Sequence, residues 1–206
     1  MQEIEAKLFI KENYNVNSKT FSKLDCFHKL LLNFNKKYNL ISKKTEVEIW
    51  NRHFLDSVQL IDLIDINLRP VIADFGTGAG FPGLVIKILD NNNKFHVKLF
   101  EKSPIKRRFL SIVKEELKLK IDIEGNVYRN DKYIQADYVI CRAFKKLDEI
   151  IKISRENVKK PHKLIVLKGK NAQNEINDVS LDKKYSYILI DSVTSKDSKI
   201  LVVSAK

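Results

Sequence analysis

Apolar positions recur every three or four residues in the first third of the chain, then give way to short apolar runs after residue 70. Phe21, Leu24, Phe27, Leu31 and Phe34 fall on one stripe, which predicts an amphipathic helix over about 19–37. Lys36 and Lys37 lie in its last turn, where they complement the helix dipole. A polar segment at 2–12 predicts a short helix before it. Thr45-Glu46-Val47-Glu48 matches a capping box and predicts a further helix to about Ile64, with Val47, Trp50, Phe54, Val58, Ile61 and Ile64 inward. From Val71 onward, strands are expected near 70–75, 95–100, 119–124, 137–141, 163–168, 184–190 and 199–204. Helices are expected near 82–90, 104–118, 145–158 and 171–178. Such alternation means an α/β fold, a parallel sheet with helices on both faces. Only about nine polar residues separate Ile190 from Ile200, too few for a parallel crossover, so the last two strands should form an antiparallel hairpin. The expected division is a helical extension over 1–66 packed on a sheet domain over 67–206.

The switch between the two patterns is marked by glycine. Four of the six glycines, Gly76, Gly78, Gly80 and Gly83, fall within eight residues, directly after the run Val71-Ile72-Ala73-Asp74-Phe75. Strand, bare turn and helix in that order make a place where main chain can approach a ligand. A Walker loop is excluded, because Leu84-Val85 stands where Lys-Ser/Thr would be needed. Gly78 to Gly83 reads as a shifted dinucleotide fingerprint, G-x-G-x-x-G. The other frame, Asp74-x-Gly76-x-Gly78-x-Gly80, puts an acid at the strand end, which suits a cofactor carrying an ammonium and a sulfonium. That frame resembles motif I of the S-adenosylmethionine-dependent methyltransferases. Glu101, at the end of the second strand, can accept both hydroxyls of an adenosine ribose, and the same geometry would serve NAD.

At 206 residues with 44% hydrophobic composition, the chain is long enough to bury a proper core. Two cysteines, Cys26 and Cys141, cannot staple it and point to a reducing, cytoplasmic setting. Neither a signal peptide nor an apolar run of membrane-spanning length is evident. The formal charge of +12 points to a polyanion, most naturally nucleic acid. Of 38 basic residues only seven are Arg, and a lysine-rich coding bias alone would raise the charge. The triplet Lys106, Arg107, Arg108 follows a Ser103 cap and Pro104 at the first helical position. It reads equally as a phosphate contact or a solvated face. Lys168, at the end of the fifth strand, has the same two readings.

Tyr38-Asn39-Leu40-Ile41-Ser42, Arg52-His53-Phe54-Leu55-Asp56-Ser57, Asp74 to Gly83, Lys106 to Leu110, Arg142-Ala143-Phe144 and Leu167-Lys168-Gly169 together give a more specific pattern. From about residue 22 to the C-terminus the chain resembles the RsmG (GidB) family, which methylates guanine N7 in 16S rRNA. The resemblance implies a class I methyltransferase fold, Rossmann-like, with the terminal antiparallel hairpin. It implies S-adenosylmethionine as cofactor and 16S rRNA, or an assembling small ribosomal subunit, as partner. Cofactor contacts are implied at Gly76, Phe81, Val127, Tyr128 and Arg142, with Glu101 at the ribose and Asp74, Gly78 and Gly80 completing the turn. Arg142, Arg52 and His53 are expected in positioning roles, with RNA contact also open to Arg52 and His53 and helix packing equally open to His53; Lys106, Arg107, Arg108 and Lys168 are expected at RNA. Departures from the family pattern are Ala79, Phe81, Cys141 and Tyr128. Guanine N7 offers an in-plane lone pair, so transfer needs positioning rather than a general base. No metal is expected, and the protein is expected to be a monomer. Two other readings stay open: an NAD(P)- or flavin-dependent oxidoreductase using the glycine turn, and a non-catalytic RNA-binding protein.

Overall fold

The computed structural model describes residues 2–14, 16–129, 133–181 and 185–205. Seven strands form one sheet in the order β3-β2-β1-β4-β5-β7-β6. They are β1 (Val71–Phe75), β2 (His96–Phe100), β3 (Ile121–Glu124), β4 (Tyr138–Arg142), β5 (His162–Lys168), β6 (Ser186–Asp191) and β7 (Lys199–Ala205). The first five pair in parallel, and β7 runs antiparallel between β5 and β6. The terminal hairpin expected from the short connection is therefore present, inserted so that its second strand lies inward. Chain direction across the sheet reverses between β1 and β4, the crevice in which α/β proteins bind ligands.

Alternation along the strands sends side chains to two separate cores. Ile72, Val97, Leu99, Ile140 and Ile165 face one side; Ala73, Val139, Cys141, Leu164 and Val166 face the other. Helices α5 (Gly83–Leu89) and α6 (Pro104–Glu116) cover the first face, and α7 (Leu147–Asn157) and α8 (Ala172–Asp178) the second. The N-terminal helices α1 (Glu3–Asn13) and α2 (Ser18–Tyr38) join the first core, through Ala6 and Ile10 and through Leu24, Phe27 and Leu31. Asn17 caps α2 by accepting from Thr20 N, and Asn39 ends it in the left-handed region at φ 47°.

The segment after α2 departs from expectation. The capping box at Thr45 does not form. Ser42 is the cap of a single turn, α3 (Lys43–Glu46), and Val47 is 74% exposed rather than inward. A π-helical turn, Trp50–Leu55, follows, then α4 (Asp56–Val58) and a 3₁₀ stretch, Gln59–Leu63. Tertiary contacts override the helical pattern here. The Trp50 N–H donates to Glu3 Oε1 of α1 at 3.1 Å, and the Trp50 indole donates to His28 of α2 at 3.1 Å. Trp50 and Phe54 stack 4.4 Å apart beneath these helices.

Candidate active site

Beyond β1, the Gly76 and Thr77 N–H groups both donate to Phe100 O, at 2.9 and 3.1 Å, and draw the turn across the end of β2. Gly76, Gly78 and Gly80 all have positive φ. A Cβ on Gly76 would lie 2.3 Å from the Phe144 ring, and one on Gly80 2.3 Å from Leu84. At Gly78 a Cβ would meet nothing closer than Gly76 O at 3.9 Å. The turn is thus packed at its two ends and bare in its middle.

Asp74 lies wholly inside. Its Oδ2 accepts from Thr77 Oγ1 at 2.6 Å and from Gly83 N at 2.8 Å, while Oδ1 has no partner. The acid expected to meet the cofactor is turned inward and braces both ends of the turn. Burial pushes its pKa up to about 7. With the folded value above the unfolded 3.8, protonated Asp74 favours the fold at low pH, and that contribution fades as pH rises through about 7. Asp74→Asn keeps the acceptor for Thr77 and Gly83. The variant's melting temperature should gain on that of the wild type between pH 5 and 8, and a pH-independent gap would refute this.

Glu101 is also buried and also committed to main chain. Oε2 accepts from Gly78 N at 2.9 Å and Oε1 from Ser103 N at 2.8 Å. Each oxygen retains a lone pair for a further donor. Val127 is buried in the second core, whereas Tyr128 is 49% exposed with its N–H given to Asn126 Oδ1 at 3.2 Å.

A cavity of about 660 Å³ opens over the turn. Among its walls are Gly76, Gly78, Phe81, Arg52, His53, Arg142, Lys106 and Lys168. Asp74, Gly80, Glu101, Val127, Tyr128, Arg107 and Arg108 stand outside this wall. Arg142, the last residue of β4, donates from Nη1 to Arg52 O at 2.7 Å and meets His53 Nδ1 through Nη2 at 2.5 Å. Its guanidinium lies over the Phe81 ring, 5.2 Å from the centroid, and Phe81 in turn stacks on Phe27 of α2 at 5.1 Å. Because a guanidinium only donates, His53 Nδ1 must accept, which leaves the proton on Nε2, a buried atom without a partner. An orphan donor of that kind costs about 1–3 kcal/mol. Burial, then Arg142 and Arg52, push the His53 pKa down to about 3, so the imidazole is neutral at physiological pH and unsuited to be a general base.

The basic residues divide. Arg108 is exposed and Lys106 half-buried at the cavity. Arg107 instead donates to Glu101 O and Lys102 O, both at 2.8 Å, and so fastens α6 to the end of β2. Lys168 is paired with Glu175 at 2.7 Å, neither free nor simply solvated. Cys141 is fully buried in the second core, and burial raises its thiol pKa far beyond that of a nucleophile. Among the described residues, no cluster of three or more His, Cys, Asp or Glu side chains is placed to hold a metal, and no helix is long and apolar enough to cross a membrane.

The sequence alone assigned no place at the site to Asp56, Thr194, Leu40, Ile41, Ser42 or Thr45, all of which line the cavity. Asp56 and the 40–42 stretch did stand in segments that carry the family resemblance. Thr194 lies in a polar stretch that reads only as a turn.

The bare Gly78 backbone, the unpaired His53 Nε2 and a volume within the usual ligand range of about 300–1,000 Å³ fit a nucleoside-sized cofactor beside a second ligand. The family model GidB, rRNA small subunit methyltransferase G, matches residues 20–201. A protein of Orientia tsutsugamushi (strain Ikeda) named ribosomal RNA small subunit methyltransferase G is 37% identical, over 95% of this chain and 96% of its own. One of the same name from Pelagibacter ubique is 34% identical, over 98% and 96%. Among solved structures, a SAM-dependent methyltransferase from Aquifex aeolicus superposes with a TM-score of 0.62, covering 83% of this chain and 97% of that one. At 10% identity that likeness speaks for the fold.

Proposed function

Because this chain belongs to the GidB family of small-subunit rRNA methyltransferases, we propose that it transfers a methyl group to N7 of a guanine in 16S rRNA. Family membership sets aside the oxidoreductase reading of the glycine turn and disfavours a merely RNA-binding role. When bound, S-adenosylmethionine supplies an electrophilic methyl on a sulfonium. The main chain of the turn from Gly76 to its bare middle at Gly78 would hold it, with Phe81 and Glu101 close by.

The observation that carries N7 as the acceptor is the character of the cavity beyond the turn. Arg142, Arg52, Ser42 and Thr45 bring donors, and His53 is locked neutral by its bond from Arg142. The two carboxylates of the wall are already engaged, Asp56 by Gln59, Thr194 and Arg142 and Glu175 by Lys168 and Leu147 N, so neither stands ready to strip a proton from an exocyclic amine. Guanine N7 attacks with a free lone pair, and its neighbouring O6 accepts hydrogen bonds, so donors fixed in place are what the reaction needs. Arg52 and Arg108, both exposed, and Lys106 would meet RNA phosphates. Arg107 and Lys168 act one step back, by securing α6 and α8.

Two measurements test this. Borohydride–aniline cleavage should reveal an N7-methylguanine in 16S rRNA from cells carrying the gene and not from cells lacking it. Labelled methyl transfer in vitro, to naked 16S rRNA and to small subunits from the deletion strain, should give the same product. A methyl group on an exocyclic amine, or on 23S rRNA alone, would overturn the proposal.

A further inference from the structure

The connection between β6 and β7 buries two polar side chains, Ser192 and Thr194, which an ordinary hairpin turn would leave in water. Gln59, Ser192 and Thr194 are only 5%, 8% and 8% exposed. Gln59 Nε2 donates to Ser192 Oγ at 2.9 Å, and Gln59 Oε1 accepts from Val193 N at 3.1 Å. Ser192 Oγ and Thr194 Oγ1 are 2.8 Å apart, and Ser192 Oγ also accepts from Thr194 N at 3.2 Å. The set ends on a carboxylate: Asp56 Oδ1 accepts from Gln59 Nε2 at 3.2 Å and from Thr194 Oγ1 at 3.3 Å. The other oxygen, Asp56 Oδ2, faces Arg142 Nη1 at 3.7 Å, with both side chains largely enclosed.

We propose that the β6–β7 connection is an arm of the active site, in which Thr194, Ser192 and Gln59 are positioning residues that fix Asp56 and, through it, the Arg142 guanidinium. Arg142 makes its two short bonds to the Trp50–Leu55 turn, on one side of the cavity. Asp56 supplies the counter-charge, and a carboxylate free to rotate would let the guanidinium swing off the Phe81 face. Donors delivered from Thr194, 138 positions along the chain, hold that carboxylate in one rotamer. Solvent exposure would have satisfied the same serine, threonine and glutamine in a surface turn, so their convergence on Asp56 calls for a cause within the site.

The inference rests on the reading that Arg142 acts in methyl transfer, and the test separates the two. Methyl transfer to small subunits from the deletion strain is measured for Thr194→Val, Thr194→Ser, Ser192→Ala and Arg142→Ala, with melting temperatures alongside. Thr194→Val keeps the shape and loses the hydroxyl. Its turnover should fall about tenfold, with a melting temperature within about 3 °C of the wild type. Thr194→Ser, which restores the donor, should recover most of the rate, and Ser192→Ala should show a smaller loss. Wild-type turnover in Thr194→Val, or equal impairment in Thr194→Ser, overturns the inference while leaving the role of Arg142 intact. Wild-type turnover in Arg142→Ala removes the reading beneath it. Should Thr194→Val fail to fold, the Ser192→Ala rate decides: unimpaired transfer there overturns the inference.

Discussion

Gly76→Asp is expected to weaken S-adenosylmethionine binding by at least about a hundredfold, a loss of roughly 2.8 kcal/mol. Two effects add. The residue sits at φ 69°, a conformation that costs any side chain more than glycine although Asp tolerates it better than most, and its Cβ would lie 2.3 Å from Cδ2 of Phe144, which is the larger effect. The ring cannot yield by a small torsion, since Cε2 and Cγ are also within 2.9 and 3.1 Å and the ring lies edge-on to Phe75. Calorimetric titration with S-adenosylmethionine checks the result, with Gly125→Ala as a control because a Cβ there meets nothing within 4 Å. Equal affinity in Gly76→Asp and wild type would show that the turn does not form the cofactor site.

Arg142→Ala is expected to reduce methyl transfer by about a hundredfold or more, the scale seen when one preorganised donor leaves a reacting centre. The guanidinium bridges Arg52 O, His53 Nδ1 and Asp56 while lying over Phe81, so its loss frees four neighbours at once. His53 would then be free to exchange tautomers, and Asp56 would lose its counter-charge. Arg142→Lys should not rescue, because an ammonium at the end of a flexible stem cannot serve two acceptors in one plane. Single-turnover transfer separates this from slow product release, and a rate equal to wild type would contradict it.

Much of the fold could be read from residue pattern because the controlling interactions are local. The alternation of strands with helices after Val71, and the short connection before Ile200, fix a parallel sheet with an antiparallel end whatever the distant contacts do. The glycine turn was legible for the same reason. What could not be read is where long-range partners intervene. The helix expected from Thr45 to Ile64 is broken because Glu3 takes the Trp50 N–H and the 192–194 stretch takes the Gln59 side chain. Arg107 and Lys168 look like any exposed cation in a row of letters. Only the carbonyls of Glu101 and Lys102, and the carboxylate of Glu175, reveal that each is spoken for. Likewise Asp74 reads as a ligand for the cofactor, and its orientation is set by Thr77 and Gly83 closing around it.

Phe81 carries one more implication. Its ring leans on Phe27 and Phe54 from the leading helical region, while Arg142 and His53 rest against it from the cavity side. Reagent-grade excision of the sheet, as a minimal methyltransferase freed of its first 66 residues, would remove Arg52, His53 and Asp56 and leave Phe81 unsupported. The leading third is therefore no detachable module: it could not be exchanged for an unrelated RNA-targeting appendage without rebuilding the wall of the cavity over the glycine turn.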